Sequence, residues 1–182
     1  MYSSEIERAM GCDPYTRDTV VGVYMADTIP PRNELPKGRS YGFVSNTDVH
    51  TLPGTHWTGF WEDDRTIEFY DSYGHSPGHY SDHFVKFVRD TSKMLVFNKK
   101  PIQSDYSNVC GMHVMLYLLC KARNYKLSDI VNMYSTSKEA NDSFVNEALS
   151  SYFDCCFVNR QTDAFGIFGN TTLGYRCCRR RR

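Results

Sequence analysis

No stretch of the 182-residue chain stays apolar for the roughly 18 residues a membrane-spanning helix needs, so none is expected. The N-terminal "MYSSEIERAMG" is polar and acidic and lacks the apolar core of a secretory leader, which predicts an intracellular, unsecreted protein. A cysteine framework is missing as well. Cys12, Cys110, Cys120, Cys155, Cys156, Cys177 and Cys178 are odd in number, and none of their spacings gives C-x-x-C. That pattern argues against a zinc site and, without a leader, predicts mostly reduced thiols. Net charge is absent too, at a formal 0, but it is unevenly spread. The tail "RCCRRRR" holds five of the 21 basic residues, leaving 16 against 21 acidic ones in the body. Such a tail suits nucleic acid or a nuclear address, or is simply a solvated end.

What is present suits one globular domain, with 41% hydrophobic, 23% charged and 14% aromatic residues and no internal repeat. We assign residues 1–175 to that domain and 176–182 to the basic tail. "SSEIERAMG" predicts a short helix capped by Ser3 or Ser4 and stopped by Gly11. Residues 27–41, with three prolines, predict an irregular loop, and "YGFVSN" a strand. "HWTGFWEDDRTIEFYDSYG" has two aromatic runs around a polar turn, a hairpin signature. Phe84, Phe87 and Val88 recur at helical spacing. "MLVFN" predicts a short buried strand, and an apolar helix is expected from about Asn108 to Arg123. "KLSDIVNMY" and "KEANDSFVNEALSSYF" predict two more helices, and "TDAFGIFGNTTLGY" a loop or edge element. The fold class is α+β: a small central mixed or antiparallel sheet flanked by helices, with Cys110 at the N-terminus of a buried one.

The hairpin brings chemistry together. A two-residue turn at Asp63-Asp64, if assumed, would pair Glu62 with Arg65 and set His56 directly opposite Asp71, about 4.5–5.5 Å apart at Cβ. A carboxylate beside imidazole fixes its tautomer and stabilises the protonated ring. Cys110, at a helix start, gains from both the helix terminus and a nearby imidazolium, which make a thiol a better nucleophile. Gln103, seven positions earlier, carries an amide able to donate to an oxyanion. The set reads as a cysteine nucleophile with its own oxyanion hole. Of the remaining histidines, His113 reads as a satisfied core residue, and His75, His79 and His83 as surface ones.

These residues resemble the adenovirus endopeptidase (adenain) family and its relatives, which include the SUMO-deconjugating proteases. The resemblance lies in His56-Trp57, Asp71 in "FYDSYG", and Gln103 before Cys110-Gly111, in that chain order, over roughly residues 38–125. It implies Cys110 as nucleophile, His56 as general base and acid, Asp71 as its orienting partner, Gln103 as oxyanion donor and Trp57 as a substrate-binding cleft wall. It further implies a monomeric endopeptidase for protein substrates with small or glycine-rich sites, needing no cofactor for the chemistry. DNA, through Arg179, Arg180, Arg181 and Arg182, or an activating peptide remain as added partners, and the virion and host nucleus as the expected location. Features that depart from adenain are the aspartate as acidic member, the lack of a cysteine in "RDTSKMLVFNKK" to tether an activating peptide, a somewhat shorter chain and an Arg tail without a clear counterpart. A deconjugating enzyme on the same frame, or an Arg-tailed nucleic-acid-binding virion protein, are the alternatives.

Overall fold

Alternation of large apolar residues along β2 (Tyr41–Asn46), β3 (Trp57–Glu62) and β4 (Thr66–Tyr70) explains how one sheet serves two cores. In the computed structural model, which describes residues 1–158, Val44, Trp57, Trp61 and Tyr70 join one apolar cluster, while Phe43, Phe60, Ile67 and Phe69 join another on the opposite face. With side chains alternating at period two, each strand feeds both layers. The boundary at 175, the segment "TDAFGIFGNTTLGY", the side chains of Cys155 and Cys156, Cys177, Cys178 and Arg179 to Arg182 lie outside the described residues.

The sheet has the order β1-β2-β3-β4-β5, where β1 is Val20–Tyr24 and β5 is Met94–Phe97. The inner pairs are antiparallel and the outer pairs parallel, so the sheet is mixed. β1 was not among the expected strands, although "VVGVY" is β-branched and aromatic, which is the strand composition. β5 is an edge strand with Met94 64% exposed, so the expectation of a buried strand is corrected. Its partner on one side only leaves Met94 facing water.

Helices cover both faces. α1 (Ser3–Cys12), a single turn α2 (Thr16–Thr19), α4 (Cys110–Lys121), α5 (Leu127–Asn132) and α6 (Lys138–Val158) complete the list with α3 (Asp82–Arg89). α1 carries Gly11 inside its last turn, not beyond its end. α3 is capped by Ser81, whose hydroxyl accepts from the His83 N–H at 3.1 Å, and it buries Phe84 and Phe87 against the second cluster. α4 packs on the first cluster and buries nearly every side chain it has. Its close approach to the sheet requires Gly42: a Cβ there would lie 2.8 Å from Leu118 Cδ2, 2.6 Å from the Trp61 ring and 2.8 Å from the Phe60 carbonyl. Asp13, at the end of α1, accepts from Arg123 and Tyr152, which ties the N-terminal helix to α4 and α6.

The hairpin register differs from the one expected. Gly59 faces Tyr70 and Glu62 faces Ile67, two residues offset from a Glu62–Arg65 pairing. The cause is the turn. Asp63 accepts the N–H groups of Arg65 (2.8 Å) and Thr66 (2.7 Å) on Oδ1, and its own N–H donates to the Thr66 carbonyl, making a longer loop. Asx turns of this kind compete with a tight two-residue turn. A slip of two keeps every side chain on its face, whereas a slip of one would have inverted them. His56 and Asp71 therefore stay on one face as diagonal neighbours just beyond the paired residues, and do not stand directly opposite.

Candidate active site

Three chain segments converge at one end of the sheet: the entry to β3, the exit from β4 and the start of α4. The diagonal placement is bridged by side-chain reach. His56 Nε2 lies 2.6 Å from Asp71 Oδ1, with His56 93% buried and Asp71 fully so. This fixes the imidazole's Nε2 on the carboxylate and leaves Nδ1 for another partner. Cys110, the first residue of α4, favours the charged form of this ring and keeps 9% exposure.

The electrostatics follow from these contacts. Burial opposes the charged form of His56, but hydrogen bonds with Asp71 and Cys110 outweigh it and lift the ring from 6.5 to about 9. Burial likewise pushes the Cys110 thiol up. The His56 ring and the N–H groups of Trp57 and Gly111 more than offset that, and the thiol falls below its usual range. Burial raises Asp71 too, yet His56 and the N–H groups of His75 and Tyr73 hold its carboxyl below the ordinary carboxylate value. A thiolate–imidazolium pair backed by a carboxylate is the state these shifts favour.

Around the dyad stands a shell whose contacts with His56 and Asp71 the sequence reading did not anticipate. Tyr73 stacks on the His56 ring at 4.8 Å between centroids, and Tyr80 lies at 5.4 Å. Tyr80 also donates its hydroxyl to Asp71 Oδ2 at 2.9 Å. His75 donates its backbone N–H to the same oxygen at 2.8 Å, and its ring Nδ1 is 3.3 Å away. His75 is thus exposed, as expected, but not idle. All these groups lie in "DSYGHSPGHY", where Gly74 adopts φ +77°, a left-handed turn that folds the segment back over Asp71. A dense run of tyrosine and histidine directly after a candidate acid was the available signal.

Gln103 is fully buried on the other flank. The Ser72 hydroxyl donates to its Oε1 at 2.6 Å, and its Nε2 donates to the Ser107 carbonyl at 3.0 Å and approaches Ser107 Oγ at 3.1 Å. Because a carbonyl only accepts, the contact with Ser107 fixes which end of the amide is nitrogen. The amide donors thus point into the loop 104–109 that delivers Cys110. That loop is braced by α6, where Asp142 Oδ2 accepts the Ser104 N–H at 3.1 Å. Asp142 Oδ1 also meets His113 Nε2 at 2.9 Å, and Tyr134 OH lies 3.2 Å from His113 Nδ1. His113 is a satisfied core histidine, as expected, and does not act on Cys110.

Trp57 shows little of itself to solvent, at 7% exposure, and its indole N–H donates to the Met1 carbonyl at 3.3 Å. Met1 lies next to Gly111 as well: a Cβ on Gly111 would come within 2.6 Å of Met1 Sδ. Cys110 and Cys120 are free thiols among the described residues, and burial drives Cys120 up to about 12. Among the described residues no group of His, Cys, Asp and Glu is arranged to hold a metal ion.

No family model and no curated protein matches the chain. Solved structures with a similar chain path include two of ASFV pS273R protease. One is 20% identical, covering 59% of this chain and 43% of that one, with a TM-score of 0.44. The other is 15% identical, covering 71% and 60%, at 0.46. ChlaDub1 from Chlamydia trachomatis is 15% identical, covering 96% of this chain and 82% of that one, at 0.45. The chain therefore spans less than two thirds of the first two. At these values the likeness says nothing of the chemistry of the site.

Proposed function

We propose that this protein is a cysteine endopeptidase that cleaves amide bonds through an acyl-thioester. The observation that carries the reading is the buried chain Cys110–His56–Asp71, with the His56–Asp71 contact at 2.6 Å and Cys110 opening α4. The Cys110 thiolate attacks the scissile carbonyl, and the resulting oxyanion is met by N–H groups at the start of α4 and by the Gln103 amide, whose contact with Ser107 Oγ yields to the stronger acceptor. The His56 imidazolium gives its proton to the leaving amine as the tetrahedral intermediate collapses to the thioester. Water then attacks that thioester with neutral His56 as base, releasing the acid and restoring the thiolate pair. Asp71 keeps Nε2 engaged throughout, so the proton moves at Nδ1.

The substrate reading rests on the resemblance to the adenovirus endopeptidase family: protein precursors with small or glycine-rich sites, processed during virion maturation, in the virion or the host nucleus. No cofactor is needed for the steps above, and DNA or a peptide are proposed only as activators. Removal of a ubiquitin-like modifier is the second reading, because the same frame suits a Gly-Gly end. Purified protein incubated with glycine-site precursor peptides and with a modifier-conjugated chain separates the two. Cleavage of neither, with Cys110 intact and free, overturns the peptidase reading.

A further inference from the structure

We infer that Asn98 is a positioning residue for Asp71, which holds the acid's backbone so that its carboxylate stays on His56. This rests on the peptidase reading. β4 and β5 pair in parallel up to Phe69 and Phe97, and there the backbone ladder stops. Asp71, already leaving the strand, has no backbone partner for its N–H from β5. Asn98 supplies one with its side chain: Oδ1 accepts the Asp71 N–H at 3.0 Å, and Nδ2 donates to the Asp71 carbonyl at 2.6 Å. A second contact from Nδ2 reaches the Lys100 carbonyl at 3.3 Å, which pins the amide from the other side. Asn98 is buried at 5% exposure and Asp71 at 0%, so water cannot replace either bond.

One amide thus does the work of a ladder rung at the residue that carries the acid. Its orientation is fixed, because the two Asp71 groups are a donor and an acceptor and an inverted amide would repel both. The backbone N–H groups of Tyr73 and His75 and the Tyr80 hydroxyl donate to the Asp71 carboxylate and set its rotation, but all three come from the segment that follows it and move with it. Asn98 is anchored instead at the end of β5, in the sheet. Without it the buried Asp71 peptide loses both bonds and shifts to find a new partner, and the carboxylate leaves His56 Nε2.

The test reads the thiol directly and needs no substrate. Cys110 is alkylated with iodoacetamide across pH in the wild type, Asn98→Ala, Asp71→Asn and Tyr117→Phe. The groups that face His56 and share in the profile are Asp71, Cys110, Tyr73 and Tyr80, with His75 on the far side of Asp71. In Asn98→Ala the thiolate becomes less populated near pH 6–7, and the rate falls about tenfold, corresponding to about one pKa unit. Asp71→Asn shifts in the same direction. Tyr117→Phe, seven residues along α4 from Cys110, loses a bond to Glu68 and lowers thermal stability without moving the profile. If Asn98→Ala does not fold, Asn98→Leu, neutral and similar in shape, gives the same shift. A depressed wild-type midpoint with an unmoved Asn98 variant overturns the assignment alone. An ordinary thiol midpoint in the wild type overturns the peptidase reading and this assignment with it.

Discussion

Cys110 is the residue on which the chemistry turns, and its small side chain at the edge of the first apolar cluster makes the first expectation specific. Cys110→Ala abolishes hydrolysis while thermal unfolding stays near wild type, because a thiol at a helix start, still 9% exposed, fills little core volume. His56→Ala costs as much activity as losing the thiol, since groups that act as a unit are not additive. Gln103→Ala lowers turnover by about 10²–10³ if its amide meets the oxyanion; full activity would leave it a brace for the loop 104–109. His56, raised to about 9, also sets a pH dependence. A histidine whose folded pKa lies above its unfolded value contributes stability that is complete below 6.5 and is lost as pH rises through about 9. Activity therefore falls on an alkaline limb near 9, and thermal stability declines over the same window in the wild type but not in His56→Ala. Flat activity from pH 8 to 10 would contradict the ion pair.

Elements place these residues, and here the sequence was legible in part. β2 was read at its true bounds, and the order of helices and the hairpin were readable from period and turn residues. The register was not, because the Asx turn at Asp63 depends on side-chain geometry that composition does not carry. The dyad survived because an error of two residues preserves the face. Asn98, Tyr73 and Tyr80 were missed for a related reason: their roles come from contacts across elements and not from spacing within one. β1 was missed although its composition signalled it. A test at this scale is Gly42→Val. The added atoms would meet Leu118, Trp61 and the Phe60 carbonyl at 2.6–2.8 Å, so α4 must lift from β2. Overpacking of this kind costs about 1–3 kcal/mol, and the unfolding midpoint in denaturant drops accordingly. An unchanged midpoint would mean that α4 has slack against the sheet.

For the whole molecule, the acidic body and basic tail make one proposal testable: if the protein contacts nucleic acid, that contact resides in the tail. A chain ending after Tyr175 loses most DNA affinity and keeps cleaving small peptides at low salt, since Cys110, His56 and Asp71 lie far upstream. The full-length protein shows log affinity falling with log salt by about 0.9 per neutralised phosphate. Equal weak binding by both forms removes that role.

The account stands most directly on whether Cys110 alone is an activated thiol. An active-site-directed thiol reagent, applied at neutral pH and mapped by mass across all seven cysteines, measures this. The account predicts one label, on Cys110, slowed severely in His56→Ala. Labelling shared evenly among the thiols, or a Cys110 rate indifferent to His56→Ala, would contradict it.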